Sequence, residues 1–177
     1  SGICWIQSIH RGSGVGRAMG MPHVAAATGN TSDDVGRILF NLRLGATLDM
    51  GDFGGGMLKY LRRNPLPRVT MAGGFVKRAK LAQGKLDLHS SRSTLDLTRL
   101  ADLAGKLGAD PALQDRISGA NTGAEALALC LQADIPIAQA IAQHARDVAL
   151  ASAGATPIDI LVVGRQGEIL AQAGDFA

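Results

Sequence analysis

Three short apolar runs, each closed by glycine, alternate with helical spacing over the first eighty residues. Val24–Ala27 leads into Thr28-Gly29-Asn30, Ala46–Met50 into Gly51-Asp52-Phe53 and three further glycines, and Arg68–Ala72 into Gly73-Gly74-Phe75. Between them, Val35, Ile38, Leu39 and Leu42 recur at helical spacing after the capping residues Thr31, Ser32 and Asp33, and Met57, Leu58 and Leu61 form a second stripe that Pro65 and Pro67 close. Short β-prone runs alternating with helices predict an α/β fold with a parallel sheet and flanking helices, Rossmann-like and three-layered. Before the first strand, Ile3, Ile6 and Ile9 are spaced as in a helix that ends near Gly20, although Gly12, Gly14 and Gly16 weaken it by about 1 kcal/mol each relative to Ala. G-S-G-V-G in that stretch lacks the preceding strand that a dinucleotide fingerprint requires.

The pattern then changes. Leu95, Leu97, Leu100, Leu103 and Leu107 mark a helix that stops at Gly108, Asp110-Pro111 begins the next, and Asn121-Thr122 opens a third, with Glu125 placed to cap back and Leu127, Leu129 and Leu131 to bury. Pro136 starts a fourth helix that runs to about Ser152. Ile158–Val163 and Glu168–Ala171, flanking Gly164-Arg165-Gln166-Gly167, predict a C-terminal β-hairpin. At 177 residues and 46% hydrophobic, the chain suffices for a single α/β domain over residues 1–177. Its opening in mid-pattern, without Met, suggests the C-terminal part of a larger two-domain protein whose N-terminal domain is absent. No apolar run reaches the length of a membrane span, and Cys4 and Cys130 have neither metal nor disulfide spacing, so a reduced, cytoplasmic protein is expected.

In parallel sheets ligands bind beyond the carboxyl ends of the strands, so the three glycine turns should share one crevice. Consecutive glycines at the start of a helix carry a high conformational entropy, which suggests that something approaches the backbone closely there. Cofactor-binding candidates are therefore Thr28, Gly29, Asn30, Asp49, Gly51, Gly54, Gly55, Gly73 and Gly74, with Asp49 or Asp52 suited to a ribose hydroxyl or an amino group. The formal charge is only +3, but nine basic residues stand against Asp87 alone between Met57 and Arg92. Such a one-signed flank attracts polyanions, although solvated helix faces would contain the same residues. His89 is a candidate for orienting a substrate group or managing a proton. Hydrolase triads, H-E-x-x-H, C-x-x-C and P-loop motifs do not occur, so no metal site is expected. The residues alone lead to a protein that binds a nucleotide-like ligand beside an anionic one.

The run M-G-D-F-G-G-G-M-L-K-Y-L-R-R-N-P-L-P-R-V-T-M-A-G-G-F-V-K-R-A-K-L-A-Q-G-K-L-D-L-H-S-S-R-S, Met50 to Ser93, closely resembles the cobalt-precorrin-5B C(1)-methyltransferase family, CbiD. W-I-Q-S-I-H-R-G at Trp5–Gly12, A-A-T-G-N-T-S at Ala26–Ser32 and A-N-T-G-A-E-A-L at Ala120–Leu127 extend the likeness to nearly the whole chain. The resemblance implies methyl transfer from S-adenosylmethionine to C-1 of a corrin precursor in cobalamin biosynthesis. It implies His89 and Asp52 as catalytic candidates, and Lys59, Lys77, Lys80, Ser90 and Arg92 as partners for the carboxylates of an anionic tetrapyrrole. Neither a nucleic acid nor a membrane is an expected partner, and the hairpin edge offers a surface for homo-oligomer pairing. The alternative is a non-catalytic domain that binds an anionic cofactor or tetrapyrrole intermediate.

Overall fold

The computed structural model describes residues 24–28, 46–49, 54–66, 68–86 and 94–175, the first two segments through their backbone. In chain order the elements are β1 (Val24–Thr28), β2 (Ala46–Asp49), α1 (Gly54–Arg63), β3 (Val69–Gly74), α2 (Phe75–Ala82), α3 (Leu97–Lys106), α4 (Pro111–Ser118), α5 (Gly123–Gln132), α6 (Ile137–Ala153), β4 (Ile158–Val163) and β5 (Ile169–Ala173). The five strands form one mixed sheet in the order β2-β1-β3-β4-β5. β2, β1, β3 and β4 run parallel, and β5 turns back antiparallel on β4 as the expected hairpin.

Alternate residues of the central strands face the helices. Val69 and Met71 of β3, with Ile158, Ile160 and Val162 of β4, share a core with Met57, Leu58 and Leu61 of α1, Ala79 and Leu81 of α2, and Ile137, Ile141 and Ala145 of α6. α6 lies against β4, β5, α1 and α2. Its row of buried alanines lets it approach closely, in keeping with the scarcity of aromatic residues. The opposite parity, Thr70 and Ala72 of β3 with Asp159, Leu161 and Val163 of β4, is buried as well. Burial on both faces is why I-D-I-L-V-V runs apolar almost without alternation.

The helix starts follow the sequence. Thr122 Oγ1 accepts from the Glu125 amide at 3.1 Å, and the Glu125 carboxylate reaches back past the N-cap to accept from the Asn121 amide at 2.9 Å, a variant of the capping box. Asp110 caps α4 with Pro111 in the first turn. Asp96 caps α3, and its own peptide groups are held at 2.9 Å by both ends of the Gln83 amide. Two expectations need correction. β3 does not end at Ala72 but runs through Gly73 and Gly74, because both still pair with β4, and α2 begins directly at Phe75. On α5 the fully buried positions are Ala126 and Cys130, four apart on one helical face; Leu127 and Leu129 flank that face, half-buried against the core, while Leu131, farther round, is 50% exposed. The expected helices before Gly20 and over residues 31–42 lie outside the described residues.

At the amino edge of the sheet, Arg68 Nε lies 2.5 Å from Asp159 Oδ2, and a second guanidinium nitrogen donates to the Asp175 carbonyl. Asp159 also accepts from the Asp175 amide at 3.1 Å, so this pair fastens the end of β5 to the starts of β3 and β4. An added Cβ on Gly174, whose φ is +135°, would collide with the Asp159 carboxylate. Buried Thr156 joins α1 to the same edge: its hydroxyl accepts from the Leu66 amide at 3.2 Å and donates to the Leu61 carbonyl at 3.5 Å.

Candidate functional site

Strand order decides where the candidate residues meet. From β1 the chain moves outward to β2, then returns past β1 to β3, so the connections diverge between β1 and β3. A crevice opens at such a point in doubly wound sheets, beyond the carboxyl ends of the strands. In the register, Ala27 pairs with Asp49 on one side, and Thr28 pairs with Gly73 on the other. Gly74 in turn pairs with Val163 of β4. Thr28, Asp49, Gly73 and Gly74, far apart in sequence, thus occupy one edge of the sheet, and Gly54 opens the helix that follows β2. Gly29, Asn30, Gly51, Asp52, His89, Ser90 and Arg92 lie outside the described residues.

The described glycines differ in their surroundings. A Cβ on Gly55 would stand 2.6 Å from the Leu86 Cβ and 2.9 Å from the Leu86 carbonyl oxygen, and the Gly55 amide donates to that oxygen at 2.9 Å. What approaches the backbone at Gly55 is the chain itself. Gly74 is the opposite case: apart from its chain neighbours, no atom of the described residues lies within 4 Å of an added Cβ. It is the N-cap of α2, with φ −66° and ψ 159° and no side-chain capping bond, and the first turn of α2 contains no acidic residue. Among the described residues no side chain caps the α2 start, which lies at the edge where β1 and β3 part.

The basic segment does not gather there. α1 has ten residues and extends for about 15 Å, so Arg62 and Arg63 in its last turn lie toward the amino edge, where Arg62 abuts Gly154. Arg68 is engaged with Asp159 at that same edge, and Lys85 donates to the Thr94 carbonyl. Arg78 and Lys80 are not solvated as a polar helix face would be: Arg78 is fully buried, where desolvation pushes its guanidinium down to about 10, and Lys80 is 5% exposed. Lys59 is exposed on α1. Of the three described lysines proposed for substrate, only Lys77, half-buried in the first turn of α2, borders the carboxyl edge beside Gly74.

A hollow of about 320 Å³ opens at that point, walled by Phe75, Val76 and Lys77, by Leu127 of α5, and by Arg165 and Leu170 of the hairpin. The sequence reading passed over Arg165. Its signal was present: a strand running parallel to β3 must release its following turn at the edge where β3 ends. A second cleft of about 240 Å³, bordered by Gln83, Arg99, Asp102, Lys106 and His144, lies between α3, α6 and the end of α2. Among the described residues no group of His, Cys, Asp and Glu is arranged to hold a metal ion, and no helix is long and apolar enough to cross a membrane. Cys130 is a free, buried thiol whose desolvation pushes its pKa up.

The family model described as CbiD, C-terminal domain, matches residues 87–174. Proteins named cobalt-precorrin-5B C(1)-methyltransferase from Brucella abortus (strain S19), Brucella ovis and Brucella melitensis (biotype 2) are each 51% identical over 170 residues. These alignments take in 95% of this chain and 46% of each relative, so the chain spans about half their length. No solved structure matches. With a family-model match to the C-terminal domain and half of the aligned residues identical across almost its entire length, the chain belongs to the CbiD family.

Proposed function

We propose that this chain is the donor-binding part of a methyltransferase that moves a methyl group from S-adenosylmethionine to C-1 of cobalt-precorrin-5B in cobalamin biosynthesis. The observation that carries the reading is the strand register, which sets Thr28 against Gly73 at the point where the β1 and β3 connections diverge, in a chain of this family. The sheet is read as the centre of a Rossmann-like three-layer domain. Burial of Thr70, Ala72, Leu161 and Val163, on the face away from α1, α2 and α6, supports that reading.

The residues fit the donor. No described atom would meet a Cβ on Gly74, which leaves room for a ligand against the backbone, and the amino end of α2 suits the donor's amino-acid carboxylate. Asp49 ends β2, the strand position from which the acid of dinucleotide folds meets the ribose, and this supports its assignment to a ribose hydroxyl or the amino group. The donor, when bound, supplies an electrophilic methyl on a sulfonium. Transfer then needs alignment with the acceptor carbon and exclusion of water more than a strong base. On this reading the chain's own task is positioning, and Asp52 and His89 are the residues proposed to orient the acceptor.

Titration calorimetry of the 177-residue chain with S-adenosylhomocysteine tests this. Binding in the micromolar range, weakened at least ten-fold by Asp49→Ala with an unchanged melting temperature, is the expected result. An Asp49→Ala variant that binds as tightly as the parent removes the ribose or amine role.

A further inference from the structure

The hollow beside Gly74 continues outward. Leu127, Gly164, Arg165 and Leu170 also wall a wider groove of about 570 Å³ between α5 and the hairpin turn. The inner part is predominantly apolar, with Lys77 and Arg165 as its charged residues, and its size is at the lower end of the roughly 300–1,000 Å³ typical of small-molecule sites. That combination suits the edge of a flat apolar ring with an anionic side arm.

Arg165 stands on a turn held in one shape. The Gly164 amide donates to the Glu168 carbonyl at 2.8 Å, and the Gly167 amide to the Gly164 carbonyl at 3.1 Å, with Gly167 at φ +80°. The Glu168 carboxylate folds back beneath the turn, accepts from the Gln166 amide at 3.0 Å, and occupies the space that a Cβ on Gly164 would need. Glu125, the other acid bordering the groove, accepts from the Asn121 amide. Both nearby carboxylates are thus committed to backbone amides. Arg165 is exposed and forms no ion pair or hydrogen bond among the described residues. Because the turn is already fixed, engaging a carboxylate orders only the side chain and not the backbone, and the planar guanidinium fork matches that group in two parallel hydrogen bonds.

We propose that Arg165 is the carboxylate-binding residue of this crevice, and that the hollow between α2, α5 and the hairpin takes the ring edge of a polycarboxylate tetrapyrrole, with Lys77 as the second cation. This rests on the function proposed above and adds to it the place where the acceptor is held. The methyl donor also has a carboxylate, but the apolar walls favour the ring.

The test uses the intact chain and two probes measured separately: uroporphyrin, a fluorescent tetrapyrrole with eight carboxylates, and S-adenosylhomocysteine. Arg165→Gln is expected to weaken uroporphyrin binding at least ten-fold, the order of one lost charge-assisted hydrogen bond. Arg165→Lys should restore part of the loss, Arg116→Gln on the exposed side of α4 should change nothing, and S-adenosylhomocysteine affinity should not move. Unchanged porphyrin binding in Arg165→Gln, an equal loss in Arg116→Gln, no binding by the parent chain, or a loss confined to S-adenosylhomocysteine would each overturn the proposal. A parent chain that binds uroporphyrin through Arg165 but binds no S-adenosylhomocysteine leaves the carboxylate site standing and removes the donor site instead.

Discussion

Gly55 and Gly74 stand about twenty residues apart with the same side chain and opposite duties, and substitution separates them. In Gly55→Ala the new methyl would lie 2.6 Å from the Leu86 Cβ and 2.9 Å from its carbonyl oxygen. The second neighbour is backbone, so no rotamer change relieves the clash, and overpacking of this kind destabilises by about 1–3 kcal/mol. Moving residue 86 aside also lengthens the 2.9 Å bond from the Gly55 amide, a further contribution of about 1 kcal/mol. Against this, Ala is the better helix former by about 1 kcal/mol. The net loss is about 2 kcal/mol, or about 4–8 °C in melting temperature for a chain of this length. Gly74→Ser is the contrasting change: the Cβ meets no atom of the described residues, φ −66° suits any residue, and Ser is as good an N-cap as Gly or better. Its melting temperature should equal or slightly exceed that of the parent, while its hydroxymethyl intrudes on the proposed donor crevice and weakens S-adenosylhomocysteine binding. Thermal melts and calorimetry on both variants check this. A Gly55→Ala chain as stable as the parent would refute the packing argument, and a Gly74→Ser chain that binds normally would refute the close approach of a ligand.

Asp159→Ala removes the buried partner of Arg68, and with it the acceptor for the Asp175 amide. The expected loss is about 2–3 kcal/mol in urea unfolding, below the 3–5 kcal/mol of a fully buried pair because Arg68 can still reach water; a change under about 0.5 kcal/mol contradicts the clamp. For Cys130, in a Cys4→Ser background, Ellman's reagent should release no thionitrobenzoate from the native chain and one equivalent in guanidinium, and rapid native labelling would contradict its burial. Because the folded state raises this thiol above its ordinary 9.0, the unfolded chain loses the proton first, so the Cys130 contribution to stability falls as pH rises above about 9. Cys130→Ser should remove that component of the alkaline slope.

The apolar periods, the caps and the proline and glycine stops determined most of the elements by themselves. Asp110, Thr122 with Glu125, and the stripe Met57, Leu58 and Leu61 act locally or over one helical turn, so the chain states them directly. Helical spacing likewise identifies α3, Pro136 marks the start of α6, and the hairpin follows from two apolar runs around Gly164–Gly167. The family was legible in the long run from Met50 to Ser93, because so many particular residues in order exceed what a fold alone requires.

Only the tertiary structure decided which of these residues share a place. A run of nine basic residues looks like one surface in sequence, but helices returning antiparallel to the strands take Arg62 and Arg63 toward the amino edge, bury Arg78 and Lys80, and leave Lys77 at the carboxyl edge. The same geometry brings Arg165 to Lys77 across nearly ninety residues, since β4 lies parallel to β3 and must release its turn beside Gly74. Glycine shows the limit most plainly. Composition says that a Cβ is missing at both Gly55 and Gly74, but what borders its space, the passing backbone of Leu86 or no atom of the described residues, depends on neighbours that the tertiary structure supplies.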